Sequence, residues 1–328
     1  MGLTNYPHGV FATPLVGAAR LSDLWASENL WFVNGEMPVN GSGKAPDNPA
    51  SSITAAITLA SKDGVIYVKP KTTIAGAQTY YQEDIVIPVT KPNMSIIGCG
   101  ATYGNPNNRT GVQLKPLTLT GSLVTVAGAG LNLENMRLTM TGGTGTTKAC
   151  VDGVTSASAN QGLTIRGCIF ENCDKSHPTY SVAAVAVDTG TYLMVEDSFF
   201  IKCLGGIAGI STTGHMGRVI IRRNIFSGGA EFRDCDILMA LGSADYGMGM
   251  IIDNNIFADI KPAHTGGSYA RFITITGAGG GMICNNVFAT TAATGTAGWG
   301  TAGTEVLQPD TTFFVNNSNN DGVVLQHA

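Results

Sequence analysis

The feature that most constrains this chain is a hexapeptide that returns about every 30 residues, a spacing that signals stacked structural repeats. Six copies begin at Leu133, Ile165, Val195, Ile221, Ile252 and Ile283. They end at Leu138, Phe170, Phe200, Phe226, Phe257 and Phe288, so that successive ends lie 32, 30, 26, 31 and 31 residues apart. Units of that size cannot bury an apolar face alone and must stack on their neighbours.

Ahead of the hexapeptides lie further short apolar runs closed by glycine or small polar residues, such as Leu123 to Val126, Val182 to Val187, Ile237 to Leu241 and Phe272 to Ile275. Each repeat therefore holds at least two short strands, and no periodic stretch long enough for a helix separates them. Strands at a fixed period without intervening helices can coil, each rung pairing in parallel with the next at about 4.8 Å. The expected fold is all-β, a right-handed parallel β-helix, because parallel crossovers nearly always take that hand. The first, fifth and sixth hexapeptide positions are then expected to line or flank the apolar interior. Phe170, Phe200, Phe226, Phe257 and Phe288 should form one stacked column.

Register makes a second argument. The second hexapeptide position reads Glu134, Arg166, Glu196, Arg222 and Asp253, then Cys284, so rungs in register would alternate carboxylate and guanidinium up one outer face. Opposite charges directly across neighbouring strands stabilise, and like charges repel. Positions three and four carry Asn135, Asn224, Asn254, Asn255, Asn285 and Asn286. Asparagine tolerates left-handed backbone, and its amides can stack into a hydrogen-bonded ladder.

The composition agrees. Among 328 residues 44% are hydrophobic, only 13% are charged and 43 are glycine, which suits short strands and tight turns. A net charge of −4 with no clustered Lys and Arg excludes a phosphate-binding surface, so no nucleic-acid role is expected. No stretch reads as a signal peptide or as an apolar run of about 18 residues, so neither leader-directed export nor membrane insertion is expected. The seven cysteines show no paired-ligand spacing and read as buried free thiols, with Cys173 and Cys203 close together but reduced. No metal or cofactor is expected.

A solenoid must cover its open ends. Ser51 to Ser61 reads as a short amphipathic helix, with Ile53, Ala56, Ile57 and Ala60 on one face and Ser51 or Ser52 as N-cap. It is expected to plug the first rung, after a strand at Leu30 to Val33 and before one at Val65 to Val68. The chain then divides into an anchoring arm over 1–28, the β-helix over 29–319 and a tail over 320–328. The arm carries Tyr6, Pro7, Val10, Phe11, Leu15 and Val16 without strand alternation, the pattern of a segment that orders against a partner.

Two resemblances attach to these residues. The run Asn29-Leu30-Trp31-Phe32-Val33-Asn34-Gly35, the Gly/Asn/Pro-rich loop, the helix and Asp63-Gly64-Val65-Ile66-Tyr67-Val68-Lys69-Pro70 together resemble the lead-in to pectate-lyase-like β-helix domains. That likeness implies architecture over roughly 29–319 rather than activity. The opening Met1-Gly2-Leu3-Thr4-Asn5-Tyr6-Pro7-His8-Gly9-Val10 resembles the start of tailed-bacteriophage virion proteins, among them β-helical proteins that decorate the capsid.

Candidate chemistry is thin. The pectin hydrolases of the pectate-lyase-like group use a trio of Asp with a Gly-His-Gly motif; this chain has no adjacent Asp pair, and Gly214-His215-Met216-Gly217 is only a faint echo, with a turn histidine the plainer reading. Arg233-Asp234-Cys235-Asp236, with Glu231 nearby, is the densest acidic segment. As a strand it would place Asp234 and Asp236 on one face; as a solvated loop, the preferred reading, it would hold a local ion pair. Glu196, Asp197 and Asp253 could approach the separation a glycosidase needs, but Arg222 and Arg223 intervene and make a salt-bridge ladder of them. Trp25, Trp31 and Trp299 are too scattered for a sugar platform.

The expectation is a non-enzymatic virion structural protein, a homotrimeric capsid decoration or cement protein on the capsid exterior, with the major capsid protein and copies of itself as partners. The alternatives are a tailspike or receptor-binding protein that binds or cleaves host surface polysaccharide, and a stand-alone polysaccharide lyase or hydrolase.

Overall fold

The computed structural model describes residues 29–71, 79–100, 111–118, 121–140, 149–153, 161–173, 183–187, 192–203, 205–211, 218–227, 235–241, 247–258, 271–276, 279–289, 299–300, 306–307, 312–319, 322 and 324–325. They form a parallel β-helix of three sheets, here sheets I, II and III, with ten, ten and nine strands. In one rung, Gln161–Arg166 lies in sheet I, Ile169–Glu171 in sheet II and Ala183–Val187 in sheet III, before Tyr192–Glu196 returns to sheet I. Successive rungs pair in parallel, as in Arg166 opposite Glu196 and Phe170 opposite Phe200.

The hexapeptide is the corner between sheets I and II. In the five copies from Ile165 to Phe288 its first two residues end a strand of sheet I and its last two begin a strand of sheet II, while in the first copy the sheet II strand already starts at Met136. The two residues between turn the chain, and they divide the work. The third takes left-handed backbone, with φ of 56° at Asn135, 54° at Asp197, 54° at Arg223, 58° at Asn254 and 55° at Asn285. Asn and Asp tolerate that conformation better than other side chains, whereas Arg223 adopts it inside an ion-pair network. The fourth position turns inward, where Asn224, Asn255 and Asn286 are fully buried. The two properties of asparagine thus belong to separate columns. A seventh copy, Phe314 to Asn319, continues both through Asn316 and Asn317, but ends on Asn instead of Phe.

Burial drives the stacking. The rings of Phe170, Phe200, Phe226, Phe257 and Phe288 stack face to face inside the solenoid, with centroids 5.0, 4.7, 4.9 and 4.7 Å apart. Phe272, from sheet III, leans across Phe257 and Phe288 at 5.6 and 5.2 Å. Gly206 makes room for the column, since a Cβ there would stand 2.6 Å from the Phe226 ring and 2.7 Å from the Asp236 carbonyl oxygen.

The first hexapeptide position points inward as expected, with Ile165, Val195, Ile221, Ile252 and Ile283 all buried. The fifth does not line the interior. Adjacent residues of a strand face opposite ways, so once the Phe at position six is inside, Phe199, Ile225, Ile256 and Val287 face out.

The first rung is closed as the amphipathic pattern suggests, though by a shorter helix. Helix α1 (Ile53–Leu59) has Ser52 as its N-cap, whose hydroxyl accepts from Ala55 N–H. Ile53, Ala56 and Ile57 enter the same apolar core as the rungs, and α1 packs on strands Leu30–Val33, Val65–Val68 and Ile85–Ile87. The free edge of Leu30–Val33 is covered by the chain before the helix, through Phe32 N–H to Gly43 O, Ala50 N–H to Phe32 O and Asn34 N–H to Ala50 O. At the other end Val324–Leu325, in the segment expected to be a tail, adds an antiparallel strand to Asn317–Asn319.

Candidate functional site

Charge concentrates on the outer side of the I–II corner. Register sets Arg166 opposite both Glu134 and Glu196, Glu196 opposite Arg222, and Arg222 opposite Asp253. The alternation gathers on one residue. The Glu196 side chain is 1% exposed and takes three guanidiniums: Arg166, Arg222 through Nε at 2.6 Å, and Arg223 through Nη2 at 3.0 Å. Arg223 also grips Asp197, its Nε 2.7 Å and its Nη2 2.8 Å from the two carboxylate oxygens.

Burial by itself would raise the Glu196 pKa, but the hydrogen bonds from Arg222 and Arg166 outweigh it and hold the carboxyl below its ordinary value. The hydrogen bonds it donates to the Asp197 carboxylate keep the Arg223 guanidinium firmly protonated. A carboxylate so engaged has no proton to give and no free lone pair aimed at a substrate. Asp253 departs from the alternating ladder. It accepts from Asn285 Nδ2 at 2.9 Å and touches the Cys284 thiol, while Arg222 turns to Glu196. Glu134 accepts from Asn132 Nδ2 at 2.9 Å.

Inside the same corner runs the amide ladder. Each Oδ1 of Asn255, Asn286 and Asn317 accepts both the backbone N–H and the Nδ2 of the asparagine one rung before it. Each Nδ2 also donates to a sheet I carbonyl, as Asn255 does to Ile221 O. Ser198 and Cys168 extend the column, with Ser198 N–H donating to Asn224 Oδ1 and Cys168 N–H to the Ser198 hydroxyl.

Two features escaped the sequence. Arg137, at the outward fifth position of its hexapeptide, is buried, with Nη1 3.5 Å from Glu171. Leu30, Phe32, Val65, Tyr67 and Ile97 form a second buried cluster on the outer face of sheet I. The signal for the cluster was present: the runs Leu30–Val33 and Val65–Val68 are apolar throughout, which marks strands buried on both faces. A lone Arg carries no such signal.

The remaining candidates separate. Asp236 is buried within strand Cys235–Leu241, so the loop reading fails for it, and Glu231, Arg233 and Asp234 lie outside the described residues. His215, Trp25 and the arm residues Tyr6, Pro7, Val10, Phe11, Leu15 and Val16 also lie outside them. Trp31 is buried beneath Lys44, whose Nζ sits 3.7 Å from the ring centroid. Cys99, Cys150, Cys168, Cys173, Cys203 and Cys284 are free thiols. Burial pushes the thiols of Cys99 and Cys168 up to about 12 and raises that of Cys173, which has Cys150 and Cys203 beside it.

Among the described residues no group of three or more His, Cys, Asp or Glu is arranged to hold a metal ion, and no helix is long and apolar enough to cross a membrane. No protein-family model matches the chain, and no curated protein or solved structure does either.

Proposed function

We propose that the protein is a non-enzymatic structural protein of a tailed-bacteriophage virion, a homotrimeric decoration protein that binds the major capsid protein on the capsid exterior and cements the head. The observation that carries this reading is the state of the charged corner. Glu196 is saturated by Arg166, Arg222 and Arg223, so the densest ionisable cluster among the described residues braces rungs instead of presenting an acid and a base. The likeness of Met1 to Val10 to virion proteins supports the location, and a stiff, continuously bonded solenoid suits a load-bearing surface part.

Quantitative mass spectrometry of purified virions tests the reading. Hundreds of copies per particle are expected, with loss of incorporation on deleting residues 2–24 while the β-rich circular dichroism spectrum persists. A handful of copies confined to the tail would favour the polysaccharide-binding alternative and remove the capsid assignment.

A further inference from the structure

The outer faces of sheets I and II carry two apolar columns that share the same rungs. On sheet I, Met194, Ile220, Ile251, Met282 and Phe313 stand in register. Ile251 is 41% exposed, Met282 42% and Phe313 70%. On sheet II, Phe199, Ile225, Ile256 and Val287 stand in register, and Ile256 is 42% exposed. Each residue of the second column follows its partner in the first by five positions, so the columns run at matched heights on either side of the I–II corner. Both give way to polar residues in earlier rungs: Thr164 and Asn132 on sheet I, and, beyond the buried Ile169, Arg137 and Gln113 on sheet II. Extended apolar stripes on a water-soluble surface mark contact sites.

The corner between the columns is tight. From Arg166 to Cys284 only two residues join each sheet I strand to its sheet II strand, whereas the connections to sheet III span, for example, Glu171 to Ala183 and Phe257 to Arg271. The corner is also balanced in charge, with Arg166, Arg222 and Arg223 against Glu196, Asp197 and Asp253, so close approach of a like corner meets no net repulsion.

We infer that the two columns are the halves of one self-complementary interface, the sheet I column of one copy packing on the sheet II column of the next copy around a three-fold axis parallel to the solenoid. This rests on the homotrimer proposed above. The occupant is a second copy because one chain offers both halves at equal height. Two different patches make a head-to-tail contact, which yields a closed ring when the rotation closes and a filament when it does not. A closed three-fold ring has no rise between copies, so the homotrimer sets Met194, Ile220, Ile251 and Met282 of one copy level with Phe199, Ile225, Ile256 and Val287 of the next.

The test uses purified full-length protein, native mass spectrometry and cysteine pairing. Wild type is expected at three times the mass of the chain. Ile251→Glu with Ile256→Glu, both at exposed positions, is expected to reduce that mass threefold while the circular dichroism spectrum stays unchanged. Ile251→Cys combined with Ile256→Cys should give covalent trimers after mild oxidation, and each single cysteine variant should run as one chain on a denaturing gel. A monomeric wild type, glutamate variants that remain trimeric, or a single cysteine variant that yields covalent dimers would overturn the interface. Trimers that fail to bind capsids would leave it standing and remove the capsid reading. Incorporation of a protein shown to be monomeric would do the opposite.

Discussion

Asn255 and Asn286 are joined by two hydrogen bonds to a single atom: the Oδ1 of Asn286 accepts the backbone N–H of Asn255 at 2.9 Å and its Nδ2 at 3.0 Å. Both residues are fully buried, so these bonds replace the water that burial removes from the polar groups. The pattern repeats at Asn224 and Asn317, which makes the ladder a register lock as well as a turn.

Removing one amide from that ladder strands its neighbours. Asn255→Ala deletes the acceptor for the N–H and Nδ2 of Asn224 and the donor to Ile221 O. Orphaned buried polar groups cost roughly 1–3 kcal/mol each, and a total loss of about 3 kcal/mol is expected. Urea denaturation monitored by circular dichroism reads this directly, and an unchanged midpoint would refute the ladder's role.

The phenylalanine column predicts a larger loss. Phe226 lies between Phe200 and Phe257, with centroids 4.7 and 4.9 Å away, so Phe226→Ala leaves a cavity walled by two rings that the backbone ladders hold apart. The expected cost is about 3–5 kcal/mol, measured by the same denaturation experiment. A loss under about 1 kcal/mol would mean that the rungs collapse to fill the gap.

The charged corner should make stability depend on acid. The carboxyl of Glu196 titrates below its ordinary value when folded, so its contribution is complete above the unfolded pKa and is lost as the pH falls through the depressed folded value. Glu196→Gln should flatten this part of the stability profile. Because Arg166, Arg222 and Arg223 keep 39–45% of their side chains exposed, its cost at neutral pH should stay near 1–2 kcal/mol, below that of breaking a fully buried pair. A variant with the wild-type acid profile would place the pH sensitivity elsewhere.

Helix α1 is held at both ends by side chains from the rung it covers. The Glu83 carboxylate accepts from Ile53 N–H, Thr54 N–H and the Thr54 hydroxyl, and Lys91 Nζ donates to Ile57 O at 2.5 Å and Thr58 O at 2.7 Å. An anion at the N-terminus and a cation at the C-terminus both oppose the helix dipole, so the clamp is electrostatically matched. Glu83→Ala should cost about 1–2 kcal/mol and speed hydrogen exchange at Ile53 and Thr54, leaving the amides of Ile252 and Ile283 protected. Unchanged exchange at Ile53 and Thr54 would show that apolar packing alone holds the helix.

What could be read along the chain was whatever neighbouring residues encode together. The hexapeptide placed the I–II corner, the inward Phe column and the charged second position, because a left-handed turn residue between two alternating strands is a local instruction repeated rung after rung. Helix α1 was legible from its amphipathic spacing, and its true ends depended on Ser52 and on the reach of Glu83 and Lys91. Other relations exist only once rungs 26 to 31 residues apart are stacked. Glu196 gathers Arg166, Arg222 and Arg223 instead of pairing evenly along the ladder, because Arg223, on its left-handed corner, can reach back one rung. The fifth hexapeptide position looked like core by composition, yet strand alternation turned Phe199, Ile225, Ile256 and Val287 outward once the Phe column was inside. Composition records that a residue is apolar; only the stacked backbone decides which surface it is apolar toward.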